Sequence, residues 1–182
     1  MGTGDGRAVL QAAARDPGAL VIGLDAAAAP LAEASRRAAR PAGRGGLANA
    51  LFVVAGIEAP PSELLGLADL VTVAFPWGSL LRGVLGTGSR AMDGLGALVR
   101  PGGRIEALVS ITDRDGLGEL ESALDDRREL EAAWSGLGFA VEELRAASPD
   151  ELAASGSTWA KRLSAGAPGR RPVTRLILRR LP

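Results

Sequence analysis

A chain of 182 residues that is 47% hydrophobic is long enough to bury one substantial core, and a single domain spanning 1–182 is expected. It contains neither Cys nor His, which excludes disulfides, thiolate or imidazole metal sites and histidine acid–base chemistry. No apolar run reaches the roughly 20 residues of a membrane span, and the start lacks the basic and apolar regions of a signal peptide, so a cytoplasmic protein without a metal is expected.

The formal charge is zero, with 21 basic and 21 acidic residues, but the charges are unevenly spread. Residues 111–155 carry 12 acidic and 4 basic groups, whereas residues 156–182 carry 7 basic groups and no acidic one. The basic tail suits a polyanion such as RNA; a simple solvated terminus accounts for it equally well.

In chain order, the sequence opens on Gly2-Thr3-Gly4-Asp5-Gly6, a loop of the kind that normally joins a strand to a helix. A helix over Gly6–Arg15 follows, but no strand precedes the loop. A strand over Ala19–Asp25 and a helix over Ala27–Arg40 come next. Strands at Ala50–Ala55 and Ala68–Phe75 are separated by the Pro60-Pro61 break. A helix at Ser89–Val99, a strand at Arg104–Ile111, a long helix at Leu117–Leu137 and strands at Gly138–Leu144 and Val173–Leu178 complete the pattern. Alternation of this kind predicts an α/β fold, Rossmann-like around a mostly parallel central sheet. Its first strand is expected to be missing from this sequence, as if the domain were truncated at its N-terminus.

Several residues carry candidate chemistry. Gly2 and Gly4 permit a tight turn and close approach of a ligand to the backbone. Asp25 ends a strand about 20 residues beyond that loop, where an acid accepts hydrogen bonds from a ribose diol. Glu58 follows the next strand and is placed to face a nucleobase. This ordered set points to a nucleoside cofactor, and on these residues alone a nicotinamide cofactor fits as well. Trp77, in Phe75-Pro76-Trp77-Gly78-Ser79-Leu80-Leu81, lies just past a strand end, and Trp159 lies in Ser157-Thr158-Trp159-Ala160-Lys161-Arg162-Leu163. Two tryptophans on separate loops suit a clamp for a planar base; each also fits an ordinary core aromatic. Trp134 sits among apolar helical neighbours and reads as core.

These motifs resemble the aminoglycoside-resistance family of 16S rRNA adenine-N1 methyltransferases. The likeness rests on the glycine loop, Val21–Asp25, Gly45-Gly46-Leu47, Ala55–Pro60, Pro76–Gly86 and Ser157–Leu163, and covers almost the whole chain. It implies a class I methyltransferase fold with S-adenosylmethionine as methyl donor. It implies stacking of Trp77 and Trp159 on a flipped adenine of the small ribosomal subunit, and a cofactor site formed by Gly2, Gly4, Asp25, Ile57, Glu58, Ala74, Ser79 and Ser157. RNA contacts fall to Lys161, Arg162, Arg170 and Arg171. Action as a monomer is expected, and methylation would exclude aminoglycosides from the decoding site. The family's strand and β-hairpin before the glycine loop are absent here, and Ala167 and Pro168 interrupt its compact basic run. Two other readings suit the same residues: a small-molecule methyltransferase, and an inactive relic or RNA-binding module without cofactor.

Overall fold

The computed structural model describes residues 1–87, 90–112, 115, 117, 120, 124, 126–158, 160 and 171–182. Among these, the elements in order are α1 (Arg7–Arg15), β1 (Val21–Asp25), α2 (Ala28–Ala38), β2 (Ala50–Val54), β3 (Ala68–Ala74) and α3 (Gly78–Val84). They continue with α4 (Arg90–Leu98), β4 (Val99–Val109), α5 (Arg127–Ser135), β5 (Phe139–Ala146), α6 (Pro149–Ala154) and β6 (Thr174–Arg180). The α/β class is as the alternation predicts. No described helix is long and apolar enough to cross a membrane.

The strands form two sheets. β1 and β2 pair in parallel, Val21 opposite Ala50 through Asp25 opposite Val54. The second sheet runs in the order β3–β4–β6–β5. There β3 and β4 are parallel, and β6 lies antiparallel to both of its neighbours. Alternation puts Val71, Val73, Ile105, Ala107, Leu176 and Leu178 on one face of this sheet, where they are buried beneath Leu81, Val84, Leu95 and Trp134 of the helices. Trp134 is fully buried, donates from Nε1 to the Val84 carbonyl at 3.1 Å and meets the edge of Phe139 at 5.2 Å. Its reading as core is correct.

Four local expectations need revision. The helix expected at Leu117–Leu137 is interrupted at Asp126: Leu120 and Leu124 are helical, and a new helix starts at Arg127. Asp126 has left helical geometry (φ −107°, ψ 93°), and its side chain accepts from Arg128 N as an N-cap. β4 starts at Val99, because the Pro101–Gly103 turn is absorbed as an irregularity in its pairing with β3. α3, built on the seven residues GSLLRGV, and α6, six residues long, are both additional to the predicted set. α6 is fixed by a capping box: Ser148 Oγ accepts from Glu151 N, and the Glu151 carboxylate accepts from Ser148 N at 2.8 Å.

Candidate functional site

The N-terminal loop stands between the two sheets. Gly2 N and Thr3 Oγ1 both donate to the Leu24 carbonyl of β1, at 3.1 and 3.0 Å. On the other side, the Met1 amine donates to the Thr72 carbonyl of β3 at 2.7 Å. Burial pushes the pKa of that amine down to about 6, against the opposing pull of the Asp25 charge. Gly2, Gly4 and Gly6 have φ of 63°, 55° and 73°, a left-handed run that side chains with a Cβ resist. The loop thus turns tightly into α1, as its glycines predict.

A cavity of about 750 Å³ runs along β1 to the ends of β3 and β4 and past the turn of the loop. Gly2, Gly4, Asp25, Ala74, Trp77 and Ser157 all line it, so the structure brings these six predicted residues together. Asp25 accepts from Gly4 N through Oδ2 and from Ala27 N through Oδ1, each at 2.9 Å. A carboxylate offers about four acceptor positions, so roughly two remain for a diol. Trp77 is 49% exposed, an unusual state for a large aromatic ring. Its approach is set by Phe75, which is buried with a left-handed φ of 55° and is pinned through its N–H to the Leu108 carbonyl at 2.8 Å. Strained backbone of this kind persists only where surrounding packing over-determines it.

Four predicted residues, Ile57, Glu58, Ser79 and Arg171, lie away from the cavity lining. Ile57 is buried in the main core. The Ser79 hydroxyl holds the Glu58 carboxyl below its ordinary range, and Glu58 borders a separate hollow of about 270 Å³ with Pro60, Arg90 and Asp93. Arg171 is committed inside the chain: it pairs with Asp115 and donates to the Ser110 carbonyl at 3.3 Å. Trp159, Lys161, Arg162 and Arg170 lie outside the described residues. The sequence reading overlooked Glu106, Glu151 and Arg175, which also line the cavity. Only Glu151 left a local trace, as the fourth residue of Ser148-Pro149-Asp150-Glu151.

An α/β chain whose strands end at a cavity furnished with a glycine loop and a strand-end acid belongs to the nucleoside-cofactor class. The matches to known proteins narrow this. The sequence profile described as "NpmA: 16S rRNA (adenine(1408)-N(1))-methyltransferase" matches residues 1–178, and the chain belongs to that family. A 16S rRNA (adenine(1408)-N(1))-methyltransferase of Escherichia coli is 29% identical over 174 residues, covering 91% of this chain and 80% of the relative. Its counterpart in Streptoalloteichus hindustanus is 32% identical, covering 90% of this chain and 78% of the relative. The crystal structure of the 16S rRNA methyltransferase KamB superposes with a TM-score of 0.85 at 30% identity, over 100% of this chain and 86% of that one. The W203A variant of the Catenulisporales acidiphilia 16S rRNA (adenine(1408)-N(1))-methyltransferase, solved with cosubstrate SAM, gives 0.81 at 30% identity, over 100% and 84%.

Proposed function

We propose that this chain transfers a methyl group from S-adenosylmethionine to N1 of a decoding-site adenine in 16S rRNA, and that its cavity is where donor and base meet. Family membership supplies the reaction, and the half-exposed Trp77 on the cavity lip is the observation that ties it to this site. The cavity suits the cofactor: the glycine loop permits close approach, and Asp25 has acceptor capacity to spare. When bound, the cofactor supplies a methyl group on a positively charged sulfur.

The residues have separable roles. Asp25 takes the ribose hydroxyls, and Gly2 and Gly4 let the amino-acid portion lie against the backbone. Ala74 and Ser157 complete the cofactor site on the cavity wall, while Glu58, held by Ser79 beside the buried Ile57, lies beyond that lining. Adenine N1 carries a free lone pair, so a chain without His or Cys needs no general base. Its contribution is position and electrostatics. The Trp77 ring, together with Trp159, stacks on the base and steadies the positive charge that grows there. Lys161, Arg162 and Arg170 meet RNA phosphates, while Arg171 is held by Asp115. The reaction requires one copy of the chain, no metal and a cytoplasmic substrate, the small ribosomal subunit. The added methyl and its charge would then keep aminoglycosides out.

We further infer that the two sheets are halves of one Rossmann-like, mostly parallel class I sheet, interrupted between β1 and β3. The cavity runs along both facing edges, lined by Val21 and Ile22 on one side and Thr72 and Val73 on the other. The Met1 N–H bonded to Thr72 occupies the position of a ladder donor.

Methyl transfer to purified small subunits tests the activity. Trp77→Ala is expected to keep cofactor affinity and lose about one to two orders of magnitude in rate, from about 1–3 kcal/mol of stacking. Full activity of that variant would remove the stacking role. Transfer to a metabolite, with none to subunits, would favour the small-molecule reading.

A further inference from the structure

We propose that Arg175 is a positioning residue: by gathering carboxylates from β4, β5 and α6 it fixes α6, and thereby the segment 155–158, at the cavity. This rests on the methyltransferase reading above and assigns that site an additional determinant. The Arg175 guanidinium lies 2.7 Å from Glu151 of α6, 3.0 Å from Glu143 of β5 and 3.2 Å from Glu106 of β4. Two further arginines close the cluster, Arg104 on Glu106 at 2.6 Å and Arg145 on Glu151 at 2.6 Å. Three cations thus balance three carboxylates. Arg175 and its three partners are only 20–28% exposed, so solvent screens this network less than it would a surface pair.

α6 depends on such anchoring. A helix of six residues does not sustain itself. Its one buried side chain, Leu152, sits in a small cluster with Phe75 and Val173. The remaining ties are polar: the Ser148 cap, the Arg175 cluster, and Arg15 donating to the Ala154 carbonyl at 3.1 Å. Arg145, the Ser148 backbone and Arg175 hold the Glu151 carboxyl down to about 2, the behaviour of a group fixed among donors. Immediately past α6, Ser155, Gly156, Ser157 and Thr158 line the cavity, and the next residue in sequence is Trp159. Removing Arg175 would leave three carboxylates facing two cations, with repulsion directed at the weakly packed α6. The sheet strands, held by ladders and core, would stay in place.

The test compares Arg175→Gln, Arg175→Lys and Glu151→Gln with the unaltered chain. It measures kcat and KM for transfer to small subunits, the Kd for S-adenosylmethionine, and amide hydrogen exchange. Arg175→Gln is expected to accelerate exchange in 150–158 on the order of tenfold while amides 104–109 hold, and to lower kcat/KM by a similar factor. Arg175→Lys should recover part of both, since one ammonium serves fewer carboxylates. Glu151→Gln leaves β4 and β6 intact and should loosen the same segment. Unchanged exchange in 150–158, or acceleration spread evenly over the sheet, overturns the proposal. If the unaltered chain transfers no methyl group, the functional reading fails, while the exchange measurement still decides whether Arg175 positions α6.

Discussion

Gly94 of α4 packs against the loop that follows β2, and replacing it with alanine tests how tightly that loop is held. A Cβ at this position would fall 1.8 Å from the Ile57 carbonyl oxygen, 2.9 Å from its carbon and 3.4 Å from Pro60 Cδ. Ordinary contact is about 3.5 Å, so backbone must move by more than an ångström. α4 is poorly placed to yield, because Ala91, Met92, Leu95 and Leu98 are all buried. Helix propensity alone would favour Gly94→Ala by about 1 kcal/mol. Overpacking costs about 1–3 kcal/mol, and a backbone obstacle belongs at the upper end. The net expectation is a loss of about 2 kcal/mol, read as a fall of about 1 M in the urea midpoint. Because Ile57 precedes Glu58, weaker binding of S-adenosylmethionine should accompany it. Gly136→Ala is the control: its φ is −61° and its nearest neighbour would be 3.9 Å away. That change should be neutral or gain up to about 1 kcal/mol. A Gly94→Ala protein as stable as the unaltered chain would refute the packing argument.

Other outcomes follow from the site and core. Asp25→Asn presents an N–H to one of the two backbone donors at Gly4 and Ala27, and removes acceptor capacity for the ribose. Calorimetry should show cofactor Kd rising about 10- to 100-fold, and an unaltered Kd would remove Asp25 from the site. Glu151 has its pKa depressed from 4.5 to about 2, so the stability it lends is fully present above 4.5 and fades as pH falls through 2. The difference in urea midpoint between the unaltered chain and Glu151→Gln should therefore be constant from pH 7 to about 5, shrink below 4.5 and vanish near 2. Trp134→Phe shrinks a fully buried ring and strips the Val84 carbonyl of its indole donor. A loss of about 2–3 kcal/mol in urea unfolding is expected.

What the sequence conveys and what it conceals divide along physical lines. Val21–Asp25 is legible because a short apolar run between turn signals has few other uses, and the Asp at its end marks the rim of the sheet. The glycine loop is legible because left-handed backbone selects glycine. α3 escapes notice because two glycines within seven residues weaken its helical signal, and packing of Leu81, Gly83 and Val84 against the core decides the matter instead. Pro149-Asp150 looks like a turn, although the Ser148-to-Glu151 spacing announces a helix start. The Arg175 cluster is invisible because its partners lie from 24 to 69 residues away along the chain and meet it only once strands and α6 are in place. Trp77 could be named as exposed only once the strained turn at Phe75 was seen.

The segment between β5 and β6 leaves and rejoins the sheet through a closed neck. Ala147 N donates to the Val173 carbonyl at 2.8 Å, and Ser110 Oγ donates to the Pro172 carbonyl at 2.7 Å. A segment whose ends are a hydrogen bond apart behaves as a cartridge. Its length and composition can change while strand register stays fixed, and doubling a loop's length adds only about 0.6 kcal/mol in closure entropy. Strand register is therefore insulated from changes in the sequence that follows α6 and carries Trp159 and the basic residues Lys161, Arg162 and Arg170. Such changes stay clear of the cavity wall only if they fall beyond Thr158, because Ser155, Gly156, Ser157 and Thr158 line it.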